Sequence, residues 1–248
     1  MGAWTQKPLF IFFPIMTDAS TKDFVLKRHN GITWLCRSLA AGAMGFHRIC
    51  LEGGEYLPRE GPALLLPKHR AYRDIFLEGV LLYRVARRYG NYVMKVGLYG
   101  ALEILGGVKI VRPKDVRRLE DRQARKAQIQ WAREKNQITL DYLTWLYGRG
   151  EIVVSHPEGM RFQDSMGAMQ KEVVEHMLQA EGQLGLEIPI IPVGLEYENY
   201  RRLRSRVYFR VGEPIYSSHF ADVGELMNAI DERIRSLSGF CAVEGKKV

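Results

Sequence analysis

Seven short, nearly continuous apolar runs alternate with longer amphipathic stretches from residue 48 onward, and that alternation narrows the chain to one fold class. RICLEG, PALLLPKH, YVMKVG, GVKIVR, EIVVSH, PIIPVGLEYE and VYFRVGEP read as strands. Several are too apolar for a strand with one wet face, which predicts a sheet covered on both sides. Residues 74 to 89, 114 to 147, 166 to 182 and 222 to 237 carry helical periodicity. The expected architecture is therefore α/β: a mostly parallel central sheet flanked by helices. No Ser- or Pro-rich linker and no repeat interrupts it, and 248 residues at 46% apolar content can build a full core.

Charge and cysteine usage restrict the partners. Lys and Arg outnumber Asp and Glu by 36 to 28, so the surface should attract phosphates, whether on nucleic acid, a lipid headgroup or a co-substrate. Residues 112 to 135 hold nine basic and four acidic side chains, a solvated face or a headgroup contact. The stretch from 112 to 130 contains no aromatic on which a base could stack, and no nucleic-acid partner is expected. Cys36, Cys50 and Cys241 have neither pairing nor metal-ligand spacing, which fits ordinary thiols in a reducing environment and no metal site.

The first 46 residues read differently from the rest. PLFIFFPIM, residues 8 to 16, is about half as long as a membrane span and is broken by Pro8 and Pro14. It lacks a basic leader and a small-residue cleavage site, so it is expected to be retained. Ile32, Leu35, Cys36, Leu39, Ala43 and Phe46 then recur at helical spacing, with Arg37 and Ser38 off the stripe. Such a stripe either packs on the protein's own core or lies in a membrane interface, helped by Phe10, Phe12, Phe13 and Trp34. The expected division is residues 1 to 46 as a short helical membrane-association segment and 47 to 248 as the α/β domain. Attachment would be peripheral or monotopic, on the cytoplasmic face.

Two strings carry chemistry. In PKHRAYRD, a strand ends at Pro67 and a helix begins near Tyr72, which places His69 at a strand-to-helix junction, where α/β folds build active sites. With His69 just before the helix and Asp74 in its first turn, the two can meet. Asp74 would then fix the imidazole tautomer and leave the other ring nitrogen free to take a proton. The plainer alternative is a turn histidine with Asp74 as a favourable charge at a helix N-terminus. In SHPEGMRF, Pro157 stops a strand, Gly159 lets backbone amides approach an anion, and Arg161 can fork onto phosphate oxygens. A structural Glu158–Arg161 ion pair is the alternative there. His156 reads as a satisfied structural histidine. No G-x-S-x-G elbow, P-loop or G-x-G-x-x-G is present, which puts hydrolase, kinase and dinucleotide chemistry behind.

Taken in order, four strings make the chain resemble the glycerolipid acyltransferases related to bacterial 1-acylglycerol-3-phosphate acyltransferase. They are His69 with Asp74, GGVKIVR ending at Arg112, Pro157-Glu158-Gly159 with Arg161, and IPIIPVGLE followed by VGEPI. The resemblance covers roughly residues 48 to 218. It implies direct acyl transfer from a thioester to a glycerol hydroxyl, with His69 as base and Asp74 orienting it. It further implies that Arg112, Glu158, Gly159 and Arg161 bind the acceptor's glycerol phosphate and that Ile190 to Gly194 lines the acyl path. Lys68 and Arg73, beside the motifs, would add charge to the acceptor site. No cofactor is expected beyond an acyl-CoA or acyl carrier protein thioester as co-substrate, with lysophosphatidate as acceptor and a membrane surface as partner. The chain departs from the family pattern at Lys68, where Asn is usual, at Met160, where Thr is usual, and at His156, where an aromatic is common. Acylation of another lysolipid and non-catalytic lipid binding are the alternatives. A binding protein would not need His69 beside Asp74.

Overall fold

A computed structural model describes residues 23–45, 48–97, 100–112, 121–199, 201–202 and 204–240. The apolar segment at 8 to 16, Phe46 and Cys241 lie outside them. All seven expected strands form, as β1 (Arg48–Glu52), β2 (Ala63–Pro67), β3 (Gly90–Lys95), β4 (Gly107–Ile110), β5 (Ile152–Val154), β6 (Ile190–Tyr197) and β7 (Arg206–Val211). They make one sheet in the order β1-β7-β6-β2-β5-β3-β4, parallel except for the β6–β7 pair. The helices are α1 (Asn30–Met44), α2 (Asp74–Ala86), α3 (Arg122–Gly148), α4 (Glu172–Leu184) and α5 (Val223–Leu237). The architecture is the expected mixed α/β one.

Strand alternation divides the core into two layers. On β2, Ala63 and Leu65 face the layer under α2, packed with Leu77, Leu81 and Leu82. Leu64 and Leu66 face the opposite layer, where Leu143 and Leu146 of α3, Met177 of α4 and Ile230 of α5 close over the sheet. All five residues of β2 are buried, which explains why it reads as an unbroken apolar run. Gly194 has a packing role, because a Cβ there would overlap the backbone of Leu237 at the end of α5.

Helix α1 presents its apolar stripe outward among the described residues. Ile32, Trp34, Leu35 and Leu39 are exposed, whereas Arg37 and Ser38 are half-buried. Arg37 lies 3.9 Å over the Tyr83 ring of α2. The stripe thus faces away from the domain. No helix among the described residues is long and apolar enough to cross a membrane.

The segment leading into α1 packs against the α/β body. Phe24 and Leu26 pack on the α3 layer. Arg28 is 7% exposed and donates to Asn91 Oδ1 at 3.2 Å and Glu151 Oε2 at 3.1 Å.

Candidate active site

The motif residues collect at the carboxyl ends of the parallel strands, the usual position of a site in an open α/β sheet. His69 follows β2, Arg112 follows β4, His156 to Arg161 follow β5, and Tyr197 closes β6. Asp74 is the first residue of α2, and the bend between β2 and α2 brings it back onto His69, with Nδ1 3.0 Å from Asp74 Oδ2.

Asp74 is fully buried, and both of its oxygens are held. The Arg70 and Ala71 amides each donate to Oδ2 at 2.6 Å, and the Tyr197 hydroxyl donates to Oδ1 at 2.5 Å. A carboxylate bound by three donors cannot rotate. It therefore favours the tautomer with hydrogen on His69 Nδ1, leaving Nε2 as an acceptor. The His69 side chain is 13% exposed, so the imidazole is not sealed from solvent. Tyr197 is a member of the site that sequence reasoning missed; 123 residues separate it from Asp74, and only the sheet brings them together.

Beside this pair stands a second histidine–carboxylate pair. His156 Nε2 lies 3.1 Å from Glu78 Oε1, and the His156 ring packs against the His69 ring with centroids 4.1 Å apart. Burial works to lower the His156 pKa, but the Glu78 carboxylate outweighs it and holds the imidazole above its ordinary value. The expected partner of His156 thus exists, on α2, and it brings the ring against that of His69.

Lys68 and Glu158, each expected at the acceptor, instead meet one another. Lys68 Nζ donates to Glu158 Oε1 at 2.7 Å, to Oε2 at 2.8 Å and to the Phe162 carbonyl at 2.9 Å. Glu158 Oε2 also accepts from the Gly167 amide at 2.7 Å. Both side chains have 0% exposure. Burial pushes the Lys68 ammonium below its usual range, and the Glu158 carboxylate opposes that shift. The physical reason for the pairing is desolvation, since a buried carboxylate in this turn needs a buried cation. The Glu158–Arg161 ion pair weighed from sequence is replaced by this one.

The remaining cations lie around the turn. Gly159 has φ +61, and a Cβ there would overlap the Gln170 side chain, so the turn requires glycine. Arg112 Nη1 donates to the Gly159 carbonyl at 3.4 Å. Arg161 is exposed, with its guanidinium 3.4 Å over the Tyr72 ring, and Arg73 lies 4.5 Å over the Tyr197 ring. Among the described residues, no group of three or more His, Cys, Asp or Glu is arranged to hold a metal ion.

A small, almost wholly apolar cavity of about 30 Å³, room for about one water, lies between α2 and the sheet. Leu65, Leu81, Leu82, Val154, Val193 and Phe209 line it, with Pro67, two residues before His69, in its wall. Of the run from Ile190 to Gly194, only Val193 borders this cavity; Ile190 belongs to the opposite core layer.

A base held by a buried carboxylate, with arginines on the neighbouring turns, suits proton removal from a hydroxyl on an anionic substrate. The Acyltransferase family model matches residues 48–196, from β1 into β6 and across His69, Asp74, Arg112, Glu158, Gly159 and Arg161. The chain belongs to the Acyltransferase family. Among solved structures, this acyltransferase is similar to the crystal structure of the 1-acyl-sn-glycerophosphate (LPA) acyltransferase PlsC from Thermotoga maritima. The two share 19% identity with a TM-score of 0.56, over 88% of this chain and 83% of that one. At that identity the likeness is one of fold. No curated protein matches the chain. The family expected from the four ordered motifs is the one found, and the acyltransferase fold accounts for why they converge at one edge of the sheet.

Proposed function

We propose that this acyltransferase moves a fatty acyl group from a thioester, acyl-CoA or acyl carrier protein, to the free hydroxyl of a phosphate-bearing glycerolipid, with lysophosphatidate the first acceptor. The observation that carries this reading is the His69–Asp74 pair, with Nδ1 on a fully buried, triply bonded carboxylate and the imidazole still partly exposed. An alcohol is a weak nucleophile at neutral pH. As the acceptor oxygen attacks the thioester carbonyl, its proton passes to His69 Nε2. When the tetrahedral intermediate collapses, the carbon–sulfur bond breaks and the same proton goes to the departing thiolate, which leaves an oxygen ester and a free thiol. Asp74 stabilises the imidazolium formed in between, and no residue is acylated.

Arg112 and Arg161 are the acceptor's phosphate contacts in this reading, and the Lys68–Glu158 pair holds the turn that presents them. Met160 offers no hydroxyl to the headgroup, but charge outweighs that loss. A neutral hydrogen bond contributes about 0.5 to 1.5 kcal/mol, whereas one involving a charged group contributes about 1.5 to 3. Arg161→Ala is expected to raise the apparent acceptor KM tenfold or more while changing donor KM little. The decisive assay is thiol release from acyl-CoA with lysophosphatidate, glycerol 3-phosphate, lysophosphatidylcholine or monoacylglycerol as acceptor. Monoacylglycerol acylated tenfold better than lysophosphatidate would remove the phosphate roles from Arg112 and Arg161.

The acceptor class also implies a lipid surface. In this reading the outward stripe of α1, Ile32, Trp34, Leu35 and Leu39, is the membrane-docking face on the cytoplasmic side, and residues 8 to 16 add to it. Trp34→Ser with Leu35→Ser and Leu39→Ser should weaken liposome partition at least tenfold without lowering the melting temperature, because these side chains pack on little else. Unchanged partition together with a lowered melting temperature would mean that the stripe is covered by the chain itself.

A further inference from the structure

Helix α2 carries two buried carboxylates one turn apart, and each holds one histidine ring. Asp74 and Glu78 stand at i and i+4, on the same face of the helix. His69 Nδ1 lies 3.0 Å from Asp74 Oδ2, and His156 Nε2 lies 3.1 Å from Glu78 Oε1. The two histidines come from neighbouring parallel strands, each standing two residues past the end of its own, β2 for His69 and β5 for His156. Their rings meet face to face, with centroids 4.1 Å apart and planes tilted by 31°. Both side chains are nearly buried, His69 at 13% exposure and His156 at 10%.

The contact supplies what the Asp74 bond leaves undone. That bond fixes one atom of the His69 ring, Nδ1. The terminal torsion of a histidine is broad, so a ring held at a single atom can still rock and carry Nε2 with it. The His156 ring lies against the face of His69 and opposes that motion, while the Glu78 carboxylate keeps His156 from turning away. Small displacements matter here, because a misplacement of about 1 Å at a reacting group can lower the rate about 100-fold. We infer that His156 is a positioning residue for the base, its ring the surface on which the His69 imidazole is held with Nε2 in place, and that Glu78 anchors that surface. His156 needs no contact with substrate for this. The inference rests on the acyl-transfer reading for the role of His69 as base, but the ordering of the His69 ring can be measured without it.

Two double variants of the full chain isolate the ring. His156→Phe with Glu78→Leu keeps an aromatic face, whereas His156→Leu with Glu78→Leu fills the space without one. Both remove the buried pair together and strand no charge, so both should melt near the unsubstituted protein. In thiol release from palmitoyl-CoA with lysophosphatidate present, the Phe variant should keep kcat within about fivefold and the Leu variant should lose about tenfold or more. Donor and acceptor KM should move less than about threefold in either, since His156 acts through His69. Glu78→Ala, which releases His156 but leaves both rings, should fall between the two. NMR of isotope-labelled histidine, recorded without substrate, reads the ring itself. The His69 Nδ1–H signal should be sharp in the unsubstituted protein and the Phe variant, and broadened by solvent exchange in the Leu variant. If no thiol is released yet the signal responds in this way, the ring contact stands and the acyl-transfer reading fails. Equal kcat in the two double variants would overturn the inference, as would an equally sharp Nδ1–H signal in both. A Phe variant as slow as His69→Ala would overturn it as well, because His156 would then carry a proton itself.

Discussion

His69→Ala is expected to lower turnover about 100-fold or more, because the attacking hydroxyl loses the group positioned to accept its proton as the carbon–oxygen bond forms. Acceptor KM should change little, since the imidazole acts on the proton and not on the phosphate. Asp74→Asn is expected to be nearly as severe for a structural reason. The present carboxylate accepts from the Arg70 and Ala71 amides, the Tyr197 hydroxyl and His69. An amide has one oxygen where four donors converge and places an NH₂ group against at least one of them. Its NH₂ can also force His69 into the opposite tautomer, with Nδ1 as acceptor and the proton on Nε2, which removes the base. Tyr197→Phe takes away one donor and leaves the tautomer intact, so it should fall between wild type and Asp74→Asn. Steady-state kinetics with saturating acyl-CoA decide the matter. A purified, folded His69→Ala protein with near-normal turnover would exclude the general-base mechanism.

Lys68→Ala should destabilise the fold by about 3–5 kcal/mol, the usual consequence of removing one partner from a buried ion pair. Glu158 would be left with 0% exposure and only the Gly167 amide for its charge, while the Phe162 carbonyl would lose its donor as well. For a chain of this size that corresponds to a melting temperature about 10 °C lower, or more. Lys68→Met combined with Glu158→Leu removes both charges, and replacing a buried pair by apolar side chains is often neutral or stabilising by about 1–4 kcal/mol. The single and double variants form a thermodynamic cycle, and the double should be more stable than either single by several kcal/mol. A Lys68→Ala loss within about 1 kcal/mol, the range of an exposed ion pair, would mean that water reaches Glu158 and that the turn is open.

Much of the framework was legible from periodicity. β2 reads as an unbroken apolar run because it is buried on both faces at the centre of the sheet, and α5 because Leu226, Ile230 and Ile234 repeat at helical spacing toward one layer. The meeting of His69 and Asp74 was also within reach of sequence, since a bend between two close positions is a local matter. α1 shows the limit of the same method. Its hydrophobic stripe was plain, but periodicity identifies a face without saying what the face meets, and the structure turns it away from the core.

What only the tertiary structure decided are the partners of the charged groups. Lys68 and Glu158 are 90 residues apart, Glu78 and His156 are 78, and Asp74 and Tyr197 are 123. In sequence each of these looks like a free ligand for substrate or a solitary polar residue. Parallel strands bring their carboxyl ends to one edge of the sheet, and the turns that follow them are then buried against each other. Burial makes an unpaired charge too costly to keep, so the turn carboxylate takes the turn lysine before any substrate arrives. The residue types at the motif positions set which charges would reach the site. The order of strands in the sheet decided which of them neutralise each other.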